Sequence, residues 1–340
     1  MTTVHVSVFG KTDLGRTRDH NEDTFLVADL SRRVSSLQPD MREHEVGPRG
    51  SLFMVADGMG GAAAGEVASR MAADAVFSHM SSVWPDDNEI SAQRFAYRMK
   101  EAVELANNRI HTHAREHPEV RGMGTTATVA GIFGSDLYLA QVGDSRAYLV
   151  RNGEITQITK DQSLMQRLVE AGEITEEEAE QSERRNIILQ ALGPDPREKV
   201  ALTRQSLRRG ALLVLCSAGL SGQVKKEEIA EVAASTPELM DLCARLIDLA
   251  NERGGPDNIT AIAARFGGSG LSEPDGGAGV GHEVYPLTEA EATTEPVPVY
   301  TGSPAPVPLP KPQPQPRWLL VGMVTLLAVA LAIYLLFGQG

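Results

Sequence analysis

Two hydrophobic rhythms alternate along the first 266 residues. Apolar residues two apart in His5-Val6-Ser7-Val8-Phe9 predict a half-buried strand, and the short apolar run Leu52-Phe53-Met54-Val55-Ala56 predicts another that delivers Asp57 at its end. Residues Ala62 to Met80 are alanine-rich with helical spacing, and Gln93 to Glu116 repeat the helical pattern. Strands are expected from Thr125 to Phe133 and from Leu137 to Val142, followed by a hairpin turning at Asn152-Gly153. The more polar stretch from Thr156 to Glu183 is partly helical, with Glu176-Glu177-Glu178 on a solvated face. Leu212 to Ser217 reads as a buried strand, Pro237 to Glu252 as an amphipathic helix, and Ile259 to Ala264 as a last strand. Strands and helices come in pairs, without internal repeats and without βαβ alternation, so the pattern predicts an α+β unit of antiparallel sheets flanked by helices over residues 1–266.

The rhythm then stops. Residues 267–317 are rich in Gly, Pro, Glu, Ser and Val, a composition that buries too little apolar surface to fold and predicts an extended linker. Trp318 to Phe337 is an uncharged apolar run, and about 20 residues at ~1.5 Å each match the ~30 Å hydrocarbon core of a bilayer. A transmembrane helix is expected over 318–337, with Trp318 and Tyr334 near its two ends. Lys311 and Arg317 on its N-terminal side place the large unit in the cytoplasm of a cell with a single-pass inner-membrane anchor.

Charge narrows the chemistry. A net charge of −13 and a pI near 5.1 argue against nucleic acid as partner and favour cations. The two cysteines, Cys216 and Cys243, have no metal-type spacing, and Cys216 lies in the apolar run Leu212-Leu213-Val214-Leu215-Cys216, as a buried small hydrophobe would. His111 and His113 point to different faces of their helix and read as solvent-exposed.

Carboxylates recur instead in four short motifs: Gly15-Arg16-Thr17-Arg18-Asp19-His20-Asn21-Glu22-Asp23, Val55-Ala56-Asp57-Gly58-Met59-Gly60-Gly61, Gly143-Asp144-Ser145-Arg146 and Gly254-Gly255-Pro256-Asp257-Asn258. Together with Gly124-Thr125-Thr126 and Cys216-Ser217-Ala218-Gly219-Leu220, these resemble, in the same order, the motifs of the metal-dependent type 2C Ser/Thr protein phosphatases in their bacterial form. The resemblance implies an αββα sandwich that holds two Mg²⁺ or Mn²⁺ ions, with room for a third, at one end. It implies that Asp57 bridges two ions and that the Gly58 carbonyl binds one of them. Asp257 would serve the second ion and Asp144 a third, while Glu22 acts through water and Asp23 supports metal-bound waters. Arg18 would grip the substrate phosphate, a task that suits a bidentate, permanently charged group. Hard divalent ions want such oxygen ligands, and a water activated between two of them attacks phosphorus without a phosphoenzyme.

Two positions depart from the family pattern. Met59 stands where animal relatives carry His, which leaves protonation of the leaving group to water. Ala218 stands where the family carries a metal-binding Asp, so a carboxylate oxygen is missing beside the second ion. The resemblance therefore implies a Ser/Thr phosphoprotein phosphatase with weakened activity. Its alternative is a catalytically impaired pseudophosphatase that binds phosphoproteins or a kinase. Partners would be phosphorylated Ser/Thr proteins, a bacterial Ser/Thr kinase among them, and residues Thr156 to Arg185 match the family's variable flap beside the site.

Overall fold

The computed structural model describes residues 3–60, 64–182, 184–274 and 279–288. Fourteen strands occur among them: β1 (His5–Asp13), β2 (Thr24–Asp29), β3 (Val34–Ser35), β4 (Glu43–Glu45), β5 (Ser51–Ala56), β6 (Gly58–Met59), β7 (Gly124–Thr125), β8 (Ala127–Phe133), β9 (Asp136–Val142), β10 (Arg146–Arg151), β11 (Glu154–Gln157), β12 (Ala201–Ser206), β13 (Leu212–Cys216) and β14 (Ile259–Gly267). They form two six-stranded sheets, β11-β10-β13-β14-β1-β4 and β12-β9-β8-β5-β2-β3, and every pairing is antiparallel. The small ladder β6-β7 lies apart from both.

Side-chain alternation explains why the central strands are apolar on both faces. In β5, Phe53 and Val55 face the second sheet, while Leu52, Met54 and Ala56 face a helical layer. In β13, Leu213 and Leu215 join the inter-sheet core, whereas Leu212, Val214 and Cys216 meet the opposite helices. A period of two cannot show as hydrophobic alternation when both sides of a sheet are covered. The helices Ala64–Ser82 and Ala92–Glu116 cover one sheet with Ala68, Ala72, Val76, Phe95, Met99 and Val103. The helices Lys226–Ser235 and Leu239–Glu252 cover the other with Ile229, Leu242, Leu246 and Ile247. The layers are therefore α, β, β, α, as expected. The hairpin turns at Asn152 and Gly153, whose φ angles of 53° and 80° suit a tight right-twisted turn.

Three features differ from the sequence reading. The helix Lys226–Ser235 and the strands β2 and β12 went unassigned, because their apolar positions are few or belong to longer mixed runs. His111 is only half exposed, and its Nδ1 lies 2.8 Å from the Gly193 carbonyl, while His113 stacks on His117 at 4.1 Å. The boundary expected at residue 266 falls inside β14. Beyond it, Leu271 is buried, and residues 283–285 run along β12 through Arg204 N to Glu283 O and Tyr285 N to Leu202 O, both 2.9 Å. Tyr285 meets Tyr138 edge to face at 5.2 Å, so ring burial and main-chain pairing hold a segment whose composition reads as linker.

The expected membrane span 318–337 and most of the linker lie outside the described residues. Among the described residues, no helix is long and apolar enough to cross a membrane.

Candidate active site

Strand register brings all the acidic motifs to one end of the sandwich. Thr24 pairs with Ala56, Asp13 with Ile259, Arg146 with Cys216, and Ala127 with Val142. The motif residues lie just beyond these pairs, in the segments 14–23, 57–60, 143–145, 217–219 and 254–258.

Asp57 leaves β5 with its backbone fixed. Its N–H donates to Thr126 Oγ1 at 3.0 Å, and its carbonyl accepts from Thr126 N at 2.9 Å and Thr125 Oγ1 at 3.0 Å. Thr126 Oγ1 in turn lies 2.7 Å from Ser145 Oγ, tying the 57 loop to the 143 loop that carries Asp144. The next residue, Gly58, has no room for a side chain. A Cβ there would come within 2.4 Å of both the Gly65 and Glu22 carbonyls, and a Cβ on Gly65 would come 2.8 Å from the Glu22 carboxyl carbon. The absence of side chains lets the acidic loops converge. Met59 packs its methyl end against Gly124 on the neighbouring short strand.

The structure gathers the predicted carboxylates. Burial, then the charges of Asp23, Asp144 and Asp257, pushes the Asp57 carboxyl well above the ordinary carboxylate range, against one stabilising donor, the Ala218 N–H at 3.2 Å. Burial also pushes Asp23 up to about 6, although Thr260 Oγ1 donates to its Oδ2 at 2.7 Å. Asp144 rises to about 6 through burial and the nearby charge of Asp161, which Arg146 only partly offsets from its own pair with Asp161. Asp23 Oδ1 and Asp144 Oδ1 are buried and have no hydrogen-bond partner among the described residues. Buried oxygens are normally satisfied, so two such orphans among clustered acids call for a cation.

These residues fit a hard divalent metal. The donors are all oxygens, the surplus charge is negative, and the unpartnered lone pairs are buried. Among the described residues, no group of three His, Cys, Asp or Glu side chains is arranged closely enough to hold an ion by itself. Ala218 sits among these groups: its N–H meets Asp57, and Gly219 packs so tightly that a Cβ would lie 1.8 Å from the Asn258 carbonyl.

Arg18 lies at the mouth of the cluster and pairs with Asp257, Nε to Oδ1 at 2.9 Å and Nη2 to Oδ2 at 3.0 Å. Its loop is held by Asn258, whose Nδ2 donates to the carbonyls of Leu14 and His20 at 2.9 and 3.0 Å and whose Oδ1 accepts from Glu22 N at 2.8 Å. Asn258 is thus the frame of the Arg18 loop. Sequence reasoning missed the hydroxyls of Ser217, Ser145 and Thr260, whose positions beside motif acids were the available signal. Cys216 is fully buried, and burial pushes its thiol up to about 12, so it offers no nucleophile.

Fold and site together define a two-sheet sandwich with a cluster of buried acids at one end and an arginine at its mouth. A family model described as protein phosphatase 2C matches residues 31–261. The chain belongs to the protein phosphatase 2C family. It is 43% identical over 213 residues to a serine/threonine protein phosphatase of Mycobacterium tuberculosis, PstP, covering 63% of this chain and 40% of that one. It therefore spans well under half the length of this relative. A serine/threonine phosphatase of Listeria innocua is 34% identical over 253 residues, 74% of this chain and 92% of that one. The crystal structure of the Mycobacterium tuberculosis phosphatase superposes with a TM-score of 0.64 at 35% identity, covering 79% of this chain and all of that one. A further structure of the PstP catalytic domain, in complex with two manganese ions, gives 0.63 at 35% identity over 78% of this chain.

Proposed function

We propose that the chain is a metal-dependent phosphatase acting on proteins phosphorylated at serine or threonine. The observation that carries this reading is the convergence of Asp57, Asp23, Asp144 and Asp257 beside Arg18, with buried carboxylate oxygens left unpartnered. Asp57 and the Gly58 carbonyl would hold two ions, with Asp257 on the second, Asp144 on a third, and Glu22 and Asp23 ordering waters around them. Mg²⁺ or Mn²⁺ bound there supplies a water of lowered pKa and neutralises charge on the phosphoryl oxygens. Arg18 binds and orients the phosphate with its planar fork. Asn258 and the Thr125–Thr126 pair keep the two loops in register, and Met59 offers no proton, leaving the departing alkoxide to solvent.

Ala218 gives the reading its particular feature. It contributes a main-chain N–H to Asp57 and no carboxylate oxygen, so the second ion depends on Asp57 and Asp257. Activity is weakened or demands more metal. The same observation favours a second reading, a pseudophosphatase that retains Arg18 and sequesters phosphoproteins without turnover. Hydrolysis of a phosphothreonine peptide across a Mn²⁺ titration, with this chain and its Ala218→Asp variant, tests both. The expected outcome is a metal requirement about 10- to 100-fold lower in the variant, the range that loss of a supporting ligand commands. Equal rates and equal metal dependence would exclude any role for Ala218. Turnover in the variant alone would favour the pseudophosphatase.

The run 318–337, with Lys311 and Arg317 before it, supports a cytoplasmic domain tethered to the inner membrane, within reach of a Ser/Thr kinase. Truncation before Trp318 then moves the protein to the soluble fraction, and retention in the membrane fraction would exclude the anchor.

A further inference from the structure

The pair between Arg18 and Asp257 occupies both oxygens of that carboxylate, and Asn258 N adds a third donor to Oδ1 at 2.9 Å. Backbone packing imposes the encounter. Arg16 N donates to Gly255 O at 2.7 Å, and Gly15, at φ +81°, lies so close that a Cβ would stand 2.1 Å from the Asp257 carbonyl. The two loops are thus pressed together immediately beside both partners. With Ala218 supplying no oxygen, Asp257 is also the carboxylate on which a second ion most depends.

We infer that Arg18 acts as an internal counter-ion at the second metal position, competing with the ion for Asp257. A carboxylate that gives a lone pair of each oxygen to one guanidinium has less to offer a cation, and the positive guanidinium repels that cation. Occupation of the position by metal then frees the guanidinium to turn to the phosphate, so metal loading and phosphate grip are coupled through one side chain. The inference rests on the metal-dependent reading above.

Its sign is unusual: removing the phosphate-binding arginine tightens metal binding. The side chains are 49% and 38% exposed, so the effect is that of a solvated pair, about two- to five-fold in Mn²⁺ affinity. The test is calorimetric titration of Mn²⁺ into the full chain in detergent, beside its Arg18→Ala and Arg18→Lys variants. Lysine keeps the charge and loses the fork. Tightening of the weaker Mn²⁺ class in both variants is expected, with the stronger class unchanged. Unchanged or weakened binding in both would overturn the competition. Tightening in Arg18→Ala alone would assign the effect to charge at a distance and overturn the pairing. Failure of all three chains to bind Mn²⁺ would overturn the metal centre itself, and the inference with it.

Discussion

Two polar clusters of this protein use the same residue types to opposite ends. Between the helices Ala64–Ser82 and Ala92–Glu116, Arg98 pairs with Asp87 and Glu101, Arg94 with Asp87, and His79 with Glu101 at 2.7 Å. Burial pushes Asp87 and Glu101 up, but their arginine partners, and His79 for Glu101, more than reverse it and hold both carboxyls below the ordinary range. At the end of the sandwich, burial acts on Asp57, Asp23 and Asp144 with far less cationic relief, and all three rise. A cluster that carries its own counter-charges is complete and serves the fold. One that lacks them is left to be completed by something from solution.

The largest break in this contrast comes from Asp57→Ala. Phosphopeptide hydrolysis should fall about 100-fold or more, because the carboxylate proposed to serve two ions is gone, and steady-state rates at saturating Mn²⁺ check it. The fold should not suffer, since a repelled charge has been removed. Arg98→Ala should do the reverse. It strands Asp87 and Glu101 with fewer partners, and urea denaturation should show a loss of about 3 kcal/mol with Mn²⁺ binding unchanged. Equal stability of Arg98→Ala and the parent would mean that the helix cluster is not the structural one.

A pH series sharpens the same point. Carboxyls whose folded pKa is raised bind protons more tightly in the folded state, so their contribution is present below about pH 4 and is lost as pH rises through about 6. In chelator, the melting temperature should therefore carry a component that declines by about 5 °C between pH 4 and 6, and Asp57→Asn should flatten it. Added Mn²⁺ should reverse the slope, because metal competes with protons for the same oxygens. Thermal melts with and without metal decide it, and a rising melting temperature in chelator across that window would count against the raised carboxyls.

Smaller effects remain at the edges. Asn258→Ala removes three hydrogen bonds from the Arg18 loop and should raise KM for phosphopeptide about tenfold while metal stoichiometry stays the same. Tyr285→Ala should cost about 1 kcal/mol in urea, the worth of an edge-to-face ring pair, and an unchanged midpoint would show that residues 279–288 do not support the domain.

Much of this was legible along the chain. Asp57, Asp144, Asp257 and Arg18 stood out because the motifs that carry them resemble, in the same order, those of a known family, and the helices and most strands followed from their apolar spacing. Less could be read of Ser217 and Thr260, whose partners lie as far as 248 residues away along the chain. The docked segment 279–288 was read as linker because its hold on β12 is made by main-chain groups, which carry no compositional signature.

The sequence by itself determined the element types, the antiparallel layering and the inventory of carboxylates, since these depend on local periodicity and residue chemistry. Only the tertiary structure decided which acids repel one another, which arginine neutralises which carboxylate, and that Ala218 lends Asp57 a backbone N–H. Those outcomes depend on distances of a few ångströms between loops remote in sequence, and Coulomb energy and desolvation are set by such distances, whatever the order of residues.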